Sequence, residues 1–204
     1  MKKFELTTDR IEENGTALYR IKALIDFGDV KAGDLGGYVE KEENLSQYGN
    51  AWVYDNAHVY DNARVYDNAW VSENAWVCDN AHVFGDAHVF GNAWVCDNSS
   101  VSGDAHVYDD AHVFGDAWVC DNARVSGDAW VCDNADYICL KGFGSHNRNT
   151  TMFRTKNGNI CVSCGCFSGT LEEFESKVKE THGNNKFARE YLALVEVAKI
   201  HFEV

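Results

Sequence analysis

Proline is absent from the 204 residues of this chain, although ordinary usage would give about ten. A proline inside a β-sheet removes one hydrogen-bond donor from the ladder, so it is confined to edge strands and bulges. The absence therefore favours a chain whose strands are paired on both sides.

Long apolar runs are also missing, since no stretch approaches the roughly 18 apolar residues that a membrane span requires. The chain begins with two lysines after Met1, but Glu5 restores charge too early for a secretory signal. We therefore predict a cytoplasmic protein. In that compartment the 8 cysteines are expected to remain free thiols rather than to form a disulfide framework.

Basic side chains are scarce in the middle of the chain, where residues 51–134 carry 2 of them against 14 acidic ones. This segment should repel nucleic acid polymers and anionic membranes, so we predict neither as a partner. The balance reverses between Tyr137 and Leu171, where no Asp or Glu occurs.

What the sequence does contain is a strict repeat of six residues. The frame Ala-x-Val recurs from Ala51 to Val131 in 14 consecutive units, with Val kept in all of them and Ala replaced once, by Ser99. Turn formers such as Asp-Asn or Gly-Asp follow each unit. A period of six is typical of a parallel β-helix.

Alternation along a strand assigns the two sides of each unit. Ala57 and Val59 should point inward, because only small and β-branched side chains fit a narrow prism, and His58 and Tyr60 should point outward. The turn formers supply the left-handed backbone that each corner needs.

These units resemble the hexapeptide-repeat left-handed β-helix family, in which a small residue follows an aliphatic one by four places, as Ala57 follows Val53. The resemblance implies left-handed coiling and three units per coil, so that residues 18 apart stack at about 4.8 Å. Fourteen units would then make nearly five coils.

The expected fold is mainly β: a parallel β-helix solenoid of about five coils with a different module at each end. We predict an N-terminal β cap over 1–44, the repeats over 45–136 and a C-terminal α+β module over 137–204. Strands are expected near residues 4–6, 18–25, 137–143, 150–155 and 160–167, and helices over 171–182 and 186–201. The capping box from Thr170 to Glu173 marks the first helix.

One outward face is unusually aromatic. It stacks Trp76, Trp94 and Trp130 in one column and places Phe114 in the column beside them. Contiguous apolar patches usually mark interfaces, so we predict that the protein is a homo-oligomer, a dimer or a trimer, joined through these residues. The alternative is that the aromatic ladder only stabilises strand stacking.

Three groups of reactive side chains lie on the rod, and the first two have the side chains of metal sites. The Asp column is interpreted as a solvated acidic ridge and the His pair lacks a third ligand, so we favour a role without metal for both. The third group is a pair of stacked thiols, which could oxidise but are expected to stay free. The groups are Asp61, Asp79 and Asp97; His88 and His106; Cys78 and Cys96.

The C-terminal module holds a denser cysteine group, Cys161, Cys164 and Cys166. Cys139 or His182 would complete a zinc site. Alternation argues against it, because Cys161 should point away from the other two cysteines on the same strand. A cysteine nucleophile with His182 as its base is also weakened, since no acid is evident to orient the histidine. We predict neither a metal nor a catalytic residue here.

The basic, hydroxyl-rich loop that begins at Gly144 is the predicted anion site, because such groups suit a phosphate or a nucleotide. The candidate ligand-binding residues are Ser145, Arg148, Thr150, Thr151, Arg154 and Lys156. The alternative is an ordinary polar hairpin loop.

The whole chain, including residues 29–37 and 164–171, resembles uncharacterised hexapeptide-repeat proteins of bacteria and their phages. That resemblance implies a bacterial host and a phage or prophage origin, and it supplies no catalytic residues. We therefore predict a non-catalytic oligomeric protein without a cofactor that sequesters a small phosphorylated ligand, such as a nucleotide immune signal of the host.

Two alternatives stay open: a structural scaffold or polymer, and a hexapeptide-type acyltransferase. The acyltransferases of that type resemble this chain in their repeats, but their general-base histidine often lies on a loop extruded from the coil. No insertion interrupts the 14 units here, and the acidic rod disfavours a polyanionic acyl-CoA.

Overall fold

The computed structural model describes residues 2–204. Over these residues the chain forms 21 strands and 2 α-helices. The N-terminal strands are β1 (Phe4–Glu13), β2 (Thr16–Ala23) and β3 (Leu35–Val39). Fourteen strands of two residues follow: β4 (Trp52–Val53), β5 (His58–Val59), β6 (Arg64–Val65), β7 (Trp70–Val71), β8 (Trp76–Val77), β9 (His82–Val83), β10 (His88–Val89), β11 (Trp94–Val95), β12 (Ser100–Val101), β13 (His106–Val107), β14 (His112–Val113), β15 (Trp118–Val119), β16 (Arg124–Val125) and β17 (Trp130–Val131).

The short strands form three parallel sheets, and each strand pairs with the strand three units away. The sheet orders are β5-β8-β11-β14-β17, β4-β7-β10-β13-β16 and β6-β9-β12-β15. Partners lie 18 residues apart, as in Trp76 with Trp94. The predicted three units per coil and the stacked columns are therefore confirmed, and the rod is a parallel solenoid.

The interior of the rod is built from the repeated Ala and Val, which are fully buried in every coil. Ser99, the one polar replacement, is also 0% exposed. Its hydroxyl lies 2.7 Å from the carbonyl oxygen of Cys96 and 3.2 Å from that of Val113. A buried hydroxyl is tolerated when it is hydrogen-bonded, so the exception does not interrupt the core.

The corners follow the turn chemistry expected from the sequence. The first residue of each turn pair from Asp55 to Gly127, an Asp, a Glu or a Gly, has positive φ, for example 54° at Asp61. Amide side chains then donate from coil to coil: Asn62 to Asn80, Asn80 to Asn98 and Asn98 to Asp116, with distances of 3.1–3.2 Å. This ladder ends at Asp116 because a carboxylate accepts hydrogen bonds and has none to pass on.

The N-terminal cap extends one face of the rod. Strand β2 pairs antiparallel with β1 and β3, and β3 pairs parallel with β5. Gly36 and Gly37 lie so close to the first coil that a Cβ would come within 2.6 Å of a carbonyl oxygen. Strand β1 extends well beyond the predicted 4–6. The sequence does not predict this extension, because Ile11 is the one apolar residue of 7–13 and no apolar alternation is present.

The C-terminal module is a four-stranded antiparallel sheet with two helices. Its elements are β18 (Tyr137–Phe143), β19 (Arg148–Arg154), β20 (Ile160–Cys164), β21 (Phe167–Thr170), α1 (Leu171–His182) and α2 (Lys186–Phe202). The predicted capping box is present, since the Thr170 hydroxyl accepts from the Glu173 backbone N–H and the Glu173 carboxylate accepts from that of Thr170.

This module closes the far end of the solenoid. The Thr151 hydroxyl accepts a hydrogen bond from the backbone N–H of Arg124 at 2.9 Å, and Phe153 packs into the interior of the rod. The backbone N–H of Lys156 donates to the carbonyl oxygen of Asp128 at 3.0 Å. Within residues 2–204 no helix is long and apolar enough to cross a membrane.

Candidate anion site, aromatic face and thiol cluster

The six residues predicted to bind an anion are not brought together. Thr150 and Thr151 are buried within β19, where their hydroxyls donate to the sulfur atoms of Cys164 and Cys139. Ser145 lies in the exposed hairpin turn, and its hydroxyl is hydrogen-bonded to His146 at 2.9 Å. These three side chains serve the structure of the hairpin.

The two cations that follow the turn already have partners. The Arg154 guanidinium lies 3.2 Å from the Asp136 carboxylate and donates to the carbonyl oxygen of Phe202 at 2.7 Å. The Lys156 ammonium lies 5.4 Å from the centre of the Trp130 ring, within the range of a cation–π contact. Arg154 therefore fastens α2 to the rod, and Lys156 covers the end of the aromatic column.

Arg148 is different, because it lines a cavity of about 190 Å³ between the sheet and the two helices. Basic and aromatic side chains surround this cavity, and no carboxylate does. Its lining is Arg148, Cys164, Cys166, Phe167, Phe174, Lys177, Val178, Thr181, His182 and Tyr191. Two predicted candidates of other kinds, Cys166 and His182, lie in the same lining.

A glycine positions the Arg148 side chain. Gly165, in the β20–β21 turn, has a φ of +63°, and a Cβ there would come within 2.3 Å of the Arg148 guanidinium. Across residues 2–204, Arg148 makes no ion pair within 4 Å. Lys177, the other cation, lies 2.7 Å from the exposed Glu180 carboxylate. Arg148 is therefore a cation of the cavity lining that has no ion-pair partner among the described residues.

The floor of the cavity offers a neutral hydrogen-bond donor. The Thr150 hydroxyl donates to the Cys164 sulfur at 3.2 Å, and that thiol lies 3.9 Å from the Tyr191 phenol. Burial, with the neighbouring thiol, raises the pKa of Tyr191 to about 12, so its O–H stays protonated at neutral pH. The His182 ring stacks on Tyr191 at 5.8 Å between centroids. A guanidinium, an ammonium and a phenol O–H together suit an anionic ligand.

Cys161 and Cys164 lie on opposite sides of β20, as alternation predicts, whereas Cys166 lies beyond this strand in the β20–β21 turn. Cys161 packs towards the rod, Cys164 is buried against the helices and Cys166 is exposed. Their sulfur atoms do not form a ligand group together. Within residues 2–204 the thiols and carboxylates that do converge are Cys78, Asp79 and Cys96, which lie on the rod.

The predicted interface residues form one continuous ladder on the face of β8, β11, β14 and β17. Trp76 stacks on Trp94 at 5.2 Å and 13°, Trp94 stacks on His112 at 5.6 Å, and His112 stacks on Trp130 at 5.0 Å. Phe114 meets the Trp130 ring edge-on at 4.8 Å. Trp94 remains 38% exposed, so the ladder leaves apolar surface open. Association through this face stays a prediction.

The other rod candidates are used by the coil itself. The Asp79 carboxylate accepts from the backbone N–H of Asp97 at 3.3 Å, and that of Asp97 accepts from Gly115 at 3.0 Å. The rings of His88 and His106 lie 5.0 Å apart, and burial lowers the pKa of both, so that they are neutral at pH 7. No third ligand atom joins them among the described residues.

A second cavity, of about 520 Å³, lies at the N-terminal end of the rod. It is lined by Glu42, Glu43, Leu45, Ser46, Gln47, Tyr48, Arg64, Val65, Tyr66 and His82. Arg64 and His82 are paired neighbours on β6 and β9, but the six-residue pattern does not indicate this recess. Its other wall comes from the irregular coil around Tyr48, where the six-residue period is lost.

Comparison with known proteins agrees with this geometry. The model of the YdcK β-solenoid repeat matches residues 57–73 and 117–133, which lie within the coils described above. The rod of this chain is a β-solenoid of six-residue repeats, similar to the YdcK repeat over these two segments. A protein named "Uncharacterized acetyltransferase YdcK", from Escherichia coli (strain K12), is 38% identical over 61 residues, which are 26% of this chain and 19% of that protein.

The similarity is therefore one of repeats. The match spans less than a fifth of the YdcK acetyltransferase, and the family match lies wholly in the solenoid and does not reach the Arg148 cavity. The expected β-solenoid is confirmed, and any activity must be argued from the residues of this chain.

Proposed function

We propose that this β-solenoid is a non-catalytic binding protein whose C-terminal module holds a small phosphorylated ligand beside Arg148. The observation that carries the proposal is a guanidinium without an ion-pair partner in residues 2–204, lining a cavity that also contains Lys177. Arginine binds phosphate with two parallel N–H groups, and a nearby lysine adds positive charge.

The size of the cavity limits how the ligand would lie. At about 190 Å³ the cavity is smaller than the roughly 300–1,000 Å³ of most small-molecule pockets, so we place the phosphate group of the ligand in it. Phe167 lines both this cavity and a neighbouring open recess, where a base would stack on its ring. The carboxylates of Glu172, Glu173 and Glu180 border that recess and would repel further phosphates. We therefore favour a ligand with one phosphoryl group at the Arg148 end.

Sequestration fits this site better than turnover. Cys166 and His182 line the cavity, but no carboxylate lines it to orient the histidine as a base. We expect a ligand bound there to be released without chemical change. We propose that the ligand is a nucleotide signal and that the protein, of phage or prophage origin, removes it from the cytoplasm of a bacterial host.

Native mass spectrometry tests the proposal. The protein, purified gently from bacteria with active nucleotide signalling, should release on denaturation a compound of one defined mass that contains phosphorus. Arg148→Ala should lose it, and Arg189→Ala, which removes an exposed arginine of α2 outside the cavity lining, should retain it. Calorimetric titration with inorganic phosphate, AMP and GMP should give the same ranking of variants. Equal binding by both variants would reject the site.

A second candidate function is acetyl transfer, and the name of the YdcK relative is the observation that favours it. The rod holds histidines that would be neutral at pH 7, because burial lowers the pKa of His58 and His112 as well as of the His88 pair. Release of CoA from acetyl-CoA, followed chromatographically, tests this candidate. The binding proposal predicts no release above the buffer rate with a panel of amine and hydroxyl acceptors.

We also propose that the solenoids associate through the aromatic face. Its stacked rings leave Trp94 partly open, and the column from Trp76 to Trp130 consists of aromatic rings and the imidazole of His112. Burial of such a surface against a second copy would remove apolar area from water at about 25 cal/mol per Å².

A further inference from the structure

Two thiols and one carboxylate converge on the outer surface of the solenoid. The Sγ atoms of Cys78 and Cys96 and a carboxylate oxygen of Asp79 all lie within 4.8 Å of one another. The Cys78 thiol donates to the Asp79 carboxylate at 3.5 Å. We propose that these three side chains bind one thiophilic metal ion, with zinc as the ion of choice.

The coil itself creates the ligand spacing. Cys78 and Cys96 follow Val77 and Val95, which are directly paired across β8 and β11, so the two thiols are stacked neighbours. In a tetrahedral zinc site with Zn–S bonds of about 2.3 Å, two thiolates lie about 3.8 Å apart. The two Sγ atoms lie within 4.8 Å of each other, at most about 1 Å more than that geometry requires.

The third ligand is held by the corner. Asp79 has a φ of 56°, and its carboxylate is fixed by the backbone N–H of Asp97 at 3.3 Å. One oxygen of a carboxylate accepts that hydrogen bond without preventing the group from binding a cation. Three protein ligands leave one position for water or for a substrate, which is the arrangement of open zinc sites.

The chemistry of the donors selects the class of metal. Calcium and magnesium prefer sets of oxygen atoms, and iron–sulfur clusters usually require four cysteines. Two thiols with one carboxylate suit zinc and related thiophilic ions. Cys78 is only 6% exposed, which shields the metal–sulfur bonds, whereas Asp79 is open to solvent and provides the entry path.

Cobalt(II) and zinc titrations of the reduced, chelator-treated full chain test the site. One equivalent of cobalt should produce thiolate-to-cobalt charge-transfer absorption, and one equivalent of zinc should displace it. Cys78→Ser and Cys96→Ser should abolish the band, and Asp79→Asn should weaken zinc binding at least 10-fold.

The chain offers matched controls. Asp97→Asn changes the same corner position one coil further on, outside the cluster, and asparagine tolerates the positive φ at both corners. Asp97→Asn and Cys166→Ser should leave binding unchanged, and circular dichroism should show that every variant is folded. Absence of the charge-transfer band in the folded wild-type chain would overturn the proposal, as would its loss in Cys166→Ser.

A disulfide is the competing use of the pair. It would appear as a loss of two free thiols in air that Cys78→Ser prevents, without stoichiometric metal binding by the reduced chain, and this result would also overturn the proposal. Binding at this site is independent of the Arg148 cavity, so Arg148→Ala should leave the cobalt spectrum unchanged.

Discussion

Lys3 gives the sharpest test of the energetics, because a lysine is seldom buried. Its side chain is 2% exposed beneath the N-terminal cap, and its ammonium donates to the carbonyl oxygen of Ala51 at 2.8 Å. The ring of Phe27 lies 4.9 Å away. Burial lowers the pKa of Lys3 from 10.5 to about 8.

This difference makes the free energy of unfolding depend on pH. Below pH 8 both states carry the proton, and the folded state pays the cost of a buried charge. Between about 8 and 10.5 the unfolded chain holds the proton more tightly than the folded chain, so the free energy of unfolding rises with pH. The full difference between the two pKa values corresponds to about 3 kcal/mol of folding free energy. Roughly 2 kcal/mol of this stability should be regained as the pH rises from 7 to 9.5.

The variant Lys3→Met shortens the side chain by one atom and removes the charge. The wild-type chain should therefore gain about 1 to 2 kcal/mol of stability relative to Lys3→Met between pH 7 and 9.5, measured by urea unfolding at each pH. Lys2→Met is the control, since Lys2 is 59% exposed and pairs with Glu42 on the surface. Parallel pH curves for the wild type and Lys3→Met would refute the reasoning.

Three further predictions concern the rod and its caps. Val95→Ala removes two fully buried methyl groups and should lower the free energy of unfolding by about 2 kcal/mol, measured by urea unfolding. The control Val197→Ala, at a 48% exposed position, should change it by less than about 0.5 kcal/mol. Trp94→Glu should dissociate the proposed oligomer in light scattering, and Trp118→Glu, which alters a tryptophan 52% exposed on another face, should not; a monomeric wild type would contradict this. Burial raises the pKa of Tyr60 and Tyr137, so the unfolded chain loses these phenol protons at a lower pH than the folded chain. The free energy of unfolding should therefore fall as pH rises above about 10. An absorbance titration in which all tyrosines of the folded chain ionise together would contradict this.

The periodic part of the fold could be predicted in detail because each position is decided by one local rule. Val95 faces inward because it is β-branched and alternates with the outward Trp94, and the pairing of Trp94 with Trp76 follows from three units per coil. The same rule placed Cys78 beside Cys96. The handedness of the coil stays a prediction from family resemblance, since periodicity does not determine it.

The candidate sites were harder to predict, because they depend on contacts between distant segments. The composition of the loop predicts Arg148 and Arg154 alike as anion ligands, and binding by Arg148 stays a prediction. Nothing in the local sequence indicates that Arg154 pairs with Asp136 and with the carbonyl oxygen of Phe202. Lys177 and Tyr191 reach the same cavity from two helices that are separate in sequence. The thiol cluster is hard to predict for a related reason. The repeat assigns Asp79 to a column of corner residues and the two cysteines to a separate column, and it does not show that side chains of neighbouring columns converge.

The number of repeats has a consequence for how such a chain can change in length. Because three units complete one coil, adding or removing 18 residues keeps the N-terminal cap and the C-terminal module on the same faces of the rod. Each new strand would then pair with strands of the same repeat on either side. A change of a single unit would instead turn the C-terminal module by one face relative to the N-terminal hairpin, and it would shift every side-chain column by one place. Duplication or deletion of whole coils thus preserves both the stacking of Trp76, Trp94 and Trp130 and the alignment of the two ends.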